Sequence, residues 1–209
     1  LRAKLASQGV HFSSDTDTEV VVHLLQRAFD SEDLEPWEGP AEGLEGEELQ
    51  AARRLVAAMR RVTEDLEGTF TLLALCADAP GAIVAARRSS PLVVGLGQDE
   101  NFLGSDVLAF VEHTSRALEI DQDQQVLVTA KGVTIIGHDA SVMPHKEFEV
   151  DFASDRATKG GWATFMEKEI HEQPRGVADT LADRLDSHGH LALDEVRIPE
   201  HVLRGVDKI

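Results

Sequence analysis

Residues 69–104, TFTLLALCADAPGAIVAARRSSPLVVGLGQDENFLG, alternate short apolar runs with turn-forming residues. The apolar runs cover 69–76, 82–87, 92–97 and 101–104, and proline, glycine, serine and acidic residues separate them. Short apolar runs bounded in this way are typical of β-strands. We therefore predict a meander of antiparallel strands in this part of the chain.

The same pattern continues downstream, and a different one precedes it. Apolar runs at 117–120, 125–129 and 133–136 predict further strands, the last two joined by a hairpin. Upstream, apolar residues recur with helical period over 17–29 and 48–66. Helices followed by many short strands, with helices again at the end, indicate an α+β layered sandwich.

The two ends of the chain also have helical character. Residues 1–8 read as the end of a helix that Gly9 closes. Residues 138–159 are polar and irregular, as expected of an interdomain linker. Apolar residues then recur at helical spacing over 162–170, and Pro174 is predicted to start a second helix.

The segment 30–48 has an unusual composition. It contains nine acidic residues and no basic ones, and prolines and glycines interrupt any regular period. We interpret it as a solvated surface loop, and an acidic docking segment is the less favoured alternative. We also expect this loop to be an insertion.

Composition excludes several classes of function. The chain has 38 acidic and 20 basic residues, a net charge of −18 that would repel a nucleic-acid backbone. No apolar run reaches the length needed to span a bilayer, so no membrane partner is predicted. The single cysteine, Cys76, permits no internal disulfide, and the sequence favours a cytoplasmic location.

Searches for catalytic and cofactor motifs give no complete set. The chain has no phosphate-binding loop or zinc-protease motif, and its nine histidines are scattered, so we predict neither a metal nor a cofactor. Gly95 and Gly97 are too few to form a phosphate cradle. Cys76 lies in an apolar run without an adjacent base and is predicted to be a core residue.

The most suggestive polar cluster is Thr16, Asp17 and Thr18 at the start of the helix predicted over 17–29. Thr16 and Glu19 have the spacing of a capping box. A carboxylate in the first turn stays ionised and could hold a substrate ammonium group. On the residues alone, helix capping is the favoured interpretation and binding is the alternative.

Three blocks of sequence resemble the glucosamine-6-phosphate synthase family, also called glutamine:fructose-6-phosphate amidotransferase. Residues 12–20, FSSDTDTEV, are similar to the family's Ser-(Glu or Asp)-Thr-Asp-Thr-Glu-Val segment. Residues 85–97, AARRSSPLVVGLG, and residues 159–174, KGGWATFMEKEIHEQP, are similar to two later blocks. The third block is the most specific, because in the family it joins the amidotransferase domain to the sugar-isomerising domain.

The resemblance implies a fold and a domain organisation. The fold would be an N-terminal-nucleophile (Ntn) hydrolase-type αββα sandwich with antiparallel sheets, truncated at its N-terminal side. Residues 1–150, including the acidic loop 30–48, would be the C-terminal part of a type 2 glutamine amidotransferase domain. Residues 151–209 would be the interdomain linker and the start of the sugar isomerase domain.

The resemblance also implies an activity for the parent protein. Fructose 6-phosphate and glutamine would become glucosamine 6-phosphate and glutamate, the first step of the hexosamine pathway. The full-length protein would be a homodimer, with fructose 6-phosphate bound by isomerase domains beyond Ile209. The nucleophilic cysteine belongs upstream of Leu1. We therefore expect no catalytic residue in this chain, no activity of the chain alone, and open sheet edges that make it prone to association.

Residue by residue, the resemblance assigns two positions in the predicted site. Asp17 matches the aspartate that binds the glutamine α-amino group, which reverses the preference for capping alone. Thr16 would satisfy the helix end beside it and support the site.

Two alternative functions stay open on the sequence. The first is another class II glutamine amidotransferase, of the purine-pathway or glutamate synthase type, although the block 159–174 argues against it. The second is a non-catalytic Ntn-fold interaction module.

Overall fold

The computed structural model describes residues 1–150, 159–182, 184 and 199–206. By its internal contacts the chain divides into two units, Leu1–Phe152 and Ala153–Ile209. Within residues 1–150 the α-helices all precede the β-strands. The helices are α1 (Arg2–Ser7), α2 (Asp17–Phe29) and α3 (Gly46–Asp65). The strands are β1 (Phe70–Cys76), β2 (Ala79–Arg88), β3 (Val93–Leu96), β4 (Asn101–Gly104), β5 (Arg116–Glu119), β6 (Gln125–Thr129), β7 (Val133–Ile136), β8 (Val142–Met143) and β9 (Glu147–Glu149).

Helix α1 ends where the sequence predicts. Gly9 has a φ of +88°, in the left-handed region that glycine adopts without steric cost. The Gly9 N–H donates to the carbonyl of Ala6 at 3.0 Å, and the Val10 N–H donates to the carbonyl of Leu5 at 3.1 Å. This pair of bonds is the Schellman arrangement, and it confirms Gly9 as the C-terminal cap.

Helices α2 and α3 pack against each other, and α3 packs against one face of a sheet. Each was predicted within two residues of its observed ends. One side of α3 is fully buried because alanines there let the helix approach the sheet closely. The buried residues of α3 are Ala51, Ala52, Leu55, Val56, Ala58, Met59 and Val62.

The strands form two antiparallel sheets. The first sheet has the order β1-β2-β6-β7-β8, and the second has the order β4-β3-β5-β9. The α+β class is therefore confirmed. The predicted meander is wrong in its connections, because β3, β4 and β5 leave the first sheet and β6 returns to pair with β2. Local sequence patterns do not encode such non-local pairing.

The centre of the first sheet is a middle layer that is buried on both faces. All five residues of β6 are buried, which follows from this position because successive side chains point to opposite faces. On one face Leu127 joins a cluster with the α3 side chains. On the other face Val126 and Val128 pack with Val94 and Leu118 of the second sheet.

The outer face of the second sheet is covered by an aromatic ring. Phe110, just after a short 3-10 helix (Val107–Ala109), is 1% exposed and lies over Gly95 of β3. A β-carbon at Gly95 would fall 2.5 Å from the ring atom Cδ2, so only glycine fits there. The ring of Phe102 stacks against Phe110 with centroids 6.2 Å apart.

The acidic segment 30–48 is not simply solvated, and that part of the interpretation is wrong. Four apolar side chains of this segment are buried: Leu34, Trp37, Ala41 and Leu44. Trp37, Ala41 and Leu44 belong to the cluster between α3 and the first sheet. The sequence did not predict this burial, because the apolar residues among the acidic ones recur with no regular period.

The predicted irregular linker 138–159 also needs correction. It contains two short strands: β8 pairs with β7, and β9 pairs with β5. These strands are two and three residues long, too short to give a periodic signal.

The second unit contains α4 (Phe165–Leu181) and α5 (Glu200–Leu203) among its described residues. The Thr164 hydroxyl caps α4 by accepting the Glu167 N–H at 3.1 Å. Pro174 lies inside α4 and starts no new helix, so the predicted break there is wrong. The predicted features at 151–158, 183, 185–198 and 207–209 lie outside the described residues.

Candidate functional site

Asp17 is the first residue of α2 and lines an open cleft. Its N-cap neighbour Thr16 has extended backbone angles, and the helix begins at Asp17 as predicted. The cleft has a volume of about 440 Å³, within the size range of small-molecule sites. Its lining comes from α1, from the first turns of α2 and from the start of β1. The lining residues are Leu1, Arg2, Asp17, Thr18, Val20, Val21, Leu66, Glu67, Thr69, Phe70, Thr71 and Leu72.

The Asp17 carboxylate is exposed, and no described residue forms a hydrogen bond or ion pair with it. The helix N-terminus favours negative charge at this position because the first N–H groups of α2 point toward it. Apolar residues Val20, Val21 and Leu72 form part of the surrounding wall. The arrangement suits a small molecule that carries both an ammonium group and an aliphatic part.

The turn before α2 is held by Glu19. The Ser13 N–H and hydroxyl donate to Glu19 Oε1 at 2.6 and 2.8 Å. The Ser14 N–H and hydroxyl donate to Glu19 Oε2 at 2.8 and 2.6 Å. These four hydrogen bonds, led by that of the Ser14 hydroxyl, lower the pKa of Glu19 to about 2.

Thr16 is the N-cap residue of α2, but its hydroxyl does not cap the helix. The Thr16 Oγ1 lies 2.7 Å from Ser14 Oγ instead. The predicted capping box is therefore wrong: neither of its two hydrogen bonds forms, and Glu19 reaches back past Thr16 to Ser13 and Ser14. Thr16 contacts the turn that leads to Asp17, and its role in supporting the site stays a prediction.

Arg2 holds the same turn from its other side. Its guanidinium lies over the Phe12 ring, 4.3 Å from the centroid, and donates to the Ser14 carbonyl. It also approaches Asp15 at 3.5 Å. Arg2 lines the cleft, and its Nη2 makes both polar contacts, whereas its buried Nη1 has no hydrogen-bond partner among the described residues.

A second groove follows the edge strand β1. Its volume is about 430 Å³, and residues of α2 and β1 line it. Leu73 and Leu75 are 53% and 72% exposed on this strand. Cys76 lies at its end, partly buried and packed against the core cluster beside α3, which agrees with the predicted core role.

The phosphate site considered at Gly95 and Gly97 does not fit the structure. The close contact of Phe110 with Gly95 leaves no space for a phosphate there. Within the described ranges, no three side chains of histidine, cysteine, aspartate or glutamate converge as metal ligands. Among the same residues, each helix is too short or too polar to cross a bilayer.

No protein-family model matches the chain. Individual relatives do match it, along all 209 residues. The chain is 49% identical to the glutamine–fructose-6-phosphate aminotransferase [isomerizing] of Streptomyces coelicolor. It is 47% and 44% identical to the enzymes of the same name from Corynebacterium glutamicum and Mycolicibacterium smegmatis. The chain spans 31% of the length of each of these relatives.

Proposed function

We propose that this chain is part of a glutamine–fructose-6-phosphate aminotransferase. The longer protein would convert fructose 6-phosphate and glutamine to glucosamine 6-phosphate and glutamate. The observation that carries the proposal is identity of 44–49% over the whole chain to enzymes of that name. The same names favour this function over a purine-pathway or glutamate synthase type of amidotransferase, and over a non-catalytic module.

Within that protein, residues 1–150 would belong to the glutamine-handling domain. A helical layer, a central antiparallel sheet and a second antiparallel sheet match three of the four layers expected of an Ntn-type αββα sandwich, and this match supports the assignment. Residues 151–209 would form the interdomain linker and the start of the sugar isomerase domain. The longer protein would act as a homodimer.

Asp17 would bind the α-ammonium group of glutamine. Its carboxylate is exposed to the cleft and carries no competing ion pair among the described residues. The N–H groups of the first turn favour negative charge at this position, and an exposed carboxylate there can pair with an ammonium group. The threonine hydroxyls of the cleft could orient the rest of the amino acid.

The 209-residue chain by itself would bind but not hydrolyse glutamine. Among the described residues, the lining of the Asp17 cleft contains no cysteine, histidine or lysine to act as nucleophile or base. The only cysteine of the chain, Cys76, lines the neighbouring groove, and the described residues of that lining include no histidine. A thiol without a base or another activating group nearby is a weak nucleophile at neutral pH.

Two assays test the proposal. The longer protein, given fructose 6-phosphate and glutamine, should form glucosamine 6-phosphate and glutamate in equal amounts. Release of glutamate without any amino sugar, in the presence of fructose 6-phosphate, would overturn the proposed function. The 209-residue chain given glutamine should release no glutamate above the buffer rate, and turnover by it would refute the argument about the missing nucleophile.

A further inference from the structure

We infer that Glu19 is a positioning residue for Asp17, because its carboxylate fixes the turn from which α2 and Asp17 emerge. This inference rests on the proposed function, in which Asp17 binds the glutamine ammonium group. It assigns Glu19 no contact with the substrate. Glu19 would set the direction of the Asp17 carboxylate.

The hydrogen bonds of Glu19 are divided between two serines. Oε1 accepts the N–H and hydroxyl of Ser13, and Oε2 accepts the N–H and hydroxyl of Ser14. The Glu19 side chain is 15% exposed, and each of its two oxygens accepts two of these hydrogen bonds. Two backbone and two side-chain donors on adjacent residues leave the turn little freedom to rotate.

The geometry separates the roles of the two acids. Asp17 and Glu19 are two residues apart on α2, so they point in different directions around the helix. Asp17 lines the cleft, and Glu19 does not. Glu19 reaches back to the residues that precede the helix. The Asp17 carboxylate is therefore available to a ligand, while the Glu19 carboxylate is occupied by hydrogen bonds within the protein.

Residues other than Glu19 also hold the turn before α2. Arg2 donates to the Ser14 carbonyl and lies over Phe12, while the Ser14 and Thr16 hydroxyls lie 2.7 Å apart. His23 Nε2 lies 3.8 Å from Glu19 Oε1. Loss of Glu19 would leave the turn held by the Arg2 hydrogen bond and by the contact between the Ser14 and Thr16 hydroxyls.

The test uses glutamine kinetics of the longer protein with three variants. Glu19→Ala removes all four hydrogen bonds and should raise the glutamine KM about tenfold with kcat changed by less than about twofold. Glu19→Gln keeps one oxygen acceptor but presents an amide to the other serine, and should raise KM about threefold. Glu64→Ala, which removes a glutamate paired with Arg60 on α3, should leave both constants unchanged.

The outcomes separate the two proposals. If Asp17→Ala raises the glutamine KM and Glu19→Ala does not, the positioning role is wrong and the proposed function stands. If Asp17→Ala has no effect, the assignment of Asp17 as the ammonium ligand and the positioning role of Glu19 are both wrong, while formation of glucosamine 6-phosphate still tests the proposed function. If Glu19→Ala does not fold, Ser14→Ala replaces it, because that variant removes one hydroxyl and keeps the backbone bonds. A KM unchanged in Ser14→Ala and in Glu19→Gln would then overturn the inference.

Discussion

The indole Nε1 of Trp37 donates a hydrogen bond of 2.9 Å to the carbonyl of Ala140. The two residues are 103 positions apart, so this bond joins the acidic segment to the turn after β7. The Trp37 backbone N–H also donates to the Arg53 carbonyl at 3.2 Å. Trp37 thus links α3, the acidic segment and the first sheet.

Trp37→Ala is expected to destabilise the protein by about 3–5 kcal/mol, because it removes a 9% exposed indole from the core. Trp37→Phe should cost less, since the ring remains and only the hydrogen bond and part of the contact are lost. Urea unfolding of the 209-residue chain measures both. Equal stability of wild type and Trp37→Ala would show that the acidic segment is not part of the cooperative core.

Asp17→Ala in the longer protein is expected to raise the glutamine KM by about 10- to 100-fold, the usual size of a lost charged hydrogen bond. Asp15→Ala is the matched control, because Asp15 is a fully exposed acid two residues away that does not line the cleft. It should leave KM within about twofold. An Asp17→Ala enzyme with normal glutamine KM would exclude Asp17 as the ammonium ligand.

The 209-residue chain is expected to self-associate through the edge of β1, where Leu73 and Leu75 are exposed beside unpaired backbone groups. Leu75→Lys should lower the associated fraction by about fivefold, because a charge on an edge strand opposes pairing. Sedimentation velocity over a range of concentrations gives the fraction. Leu108→Lys, at a 53% exposed leucine on the 3-10 helix, is the control and should not change it. A strictly monomeric wild-type chain would contradict this prediction.

Ser89→Gly is expected to stabilise the protein by about 0.5–1 kcal/mol. Ser89 has a φ of +60°, where a β-carbon is strained and glycine is not. Its N–H donates to Gln122 Oε1 at 3.0 Å, and glycine retains this bond. Thermal unfolding compares it with Ser90→Gly, which gains no such relief and should lower stability. A loss of stability in Ser89→Gly would show that the serine side chain matters more than the backbone strain.

Asp123 is expected to contribute to stability against acid. A hydrogen bond of 2.6 Å from Arg88, together with the guanidinium charge, holds the pKa of Asp123 below its usual range. Because the folded-state pKa is lowered, this contribution is present above about pH 4 and is lost as the pH falls through the folded-state value.

Asp123→Asn should therefore make stability less dependent on pH between about pH 5 and pH 2. Asparagine also tolerates the φ of +58° at this position, so the substitution tests charge and not backbone strain. Unfolding free energies across that range provide the measurement, with the exposed Asp121→Asn as control. Parallel curves for wild type and Asp123→Asn would exclude a role for this pair.

Helix α2 and the position of Asp17 at its first turn could be predicted from the sequence, and most of the turn before the helix could not. The apolar period over 17–29 is regular, so it fixed the helix within a residue of its observed ends. The Thr16–Glu19 spacing correctly indicated that Glu19 folds back. It could not indicate that Ser13 and Ser14 would be the partners, because that depends on the backbone path before the helix.

The sequence pattern also could not predict which of the two sheets each strand joins. β2 and β3 are consecutive in the chain and lie in different sheets, while β2 pairs with β6 across 35 or more intervening residues. Alternation of apolar residues reports which strands are buried, but does not report which neighbour each one pairs with. Trp37 was missed because its burial depends on contacts with Arg53 and Ala140, far away in sequence.

The acidic segment is attached to the rest of the molecule largely through its backbone carbonyls. The hydroxyls of Thr129 and Thr134 donate to the carbonyls of Glu42 and Pro40 at 2.6 and 3.1 Å. Arg53 donates to the carbonyl of Gly39 at 3.1 Å. A carbonyl is present whatever the side chain, so surface acids such as Glu42 can be exchanged while these attachments persist. The net charge of this protein is thus a property that substitution can adjust with little consequence for its architecture.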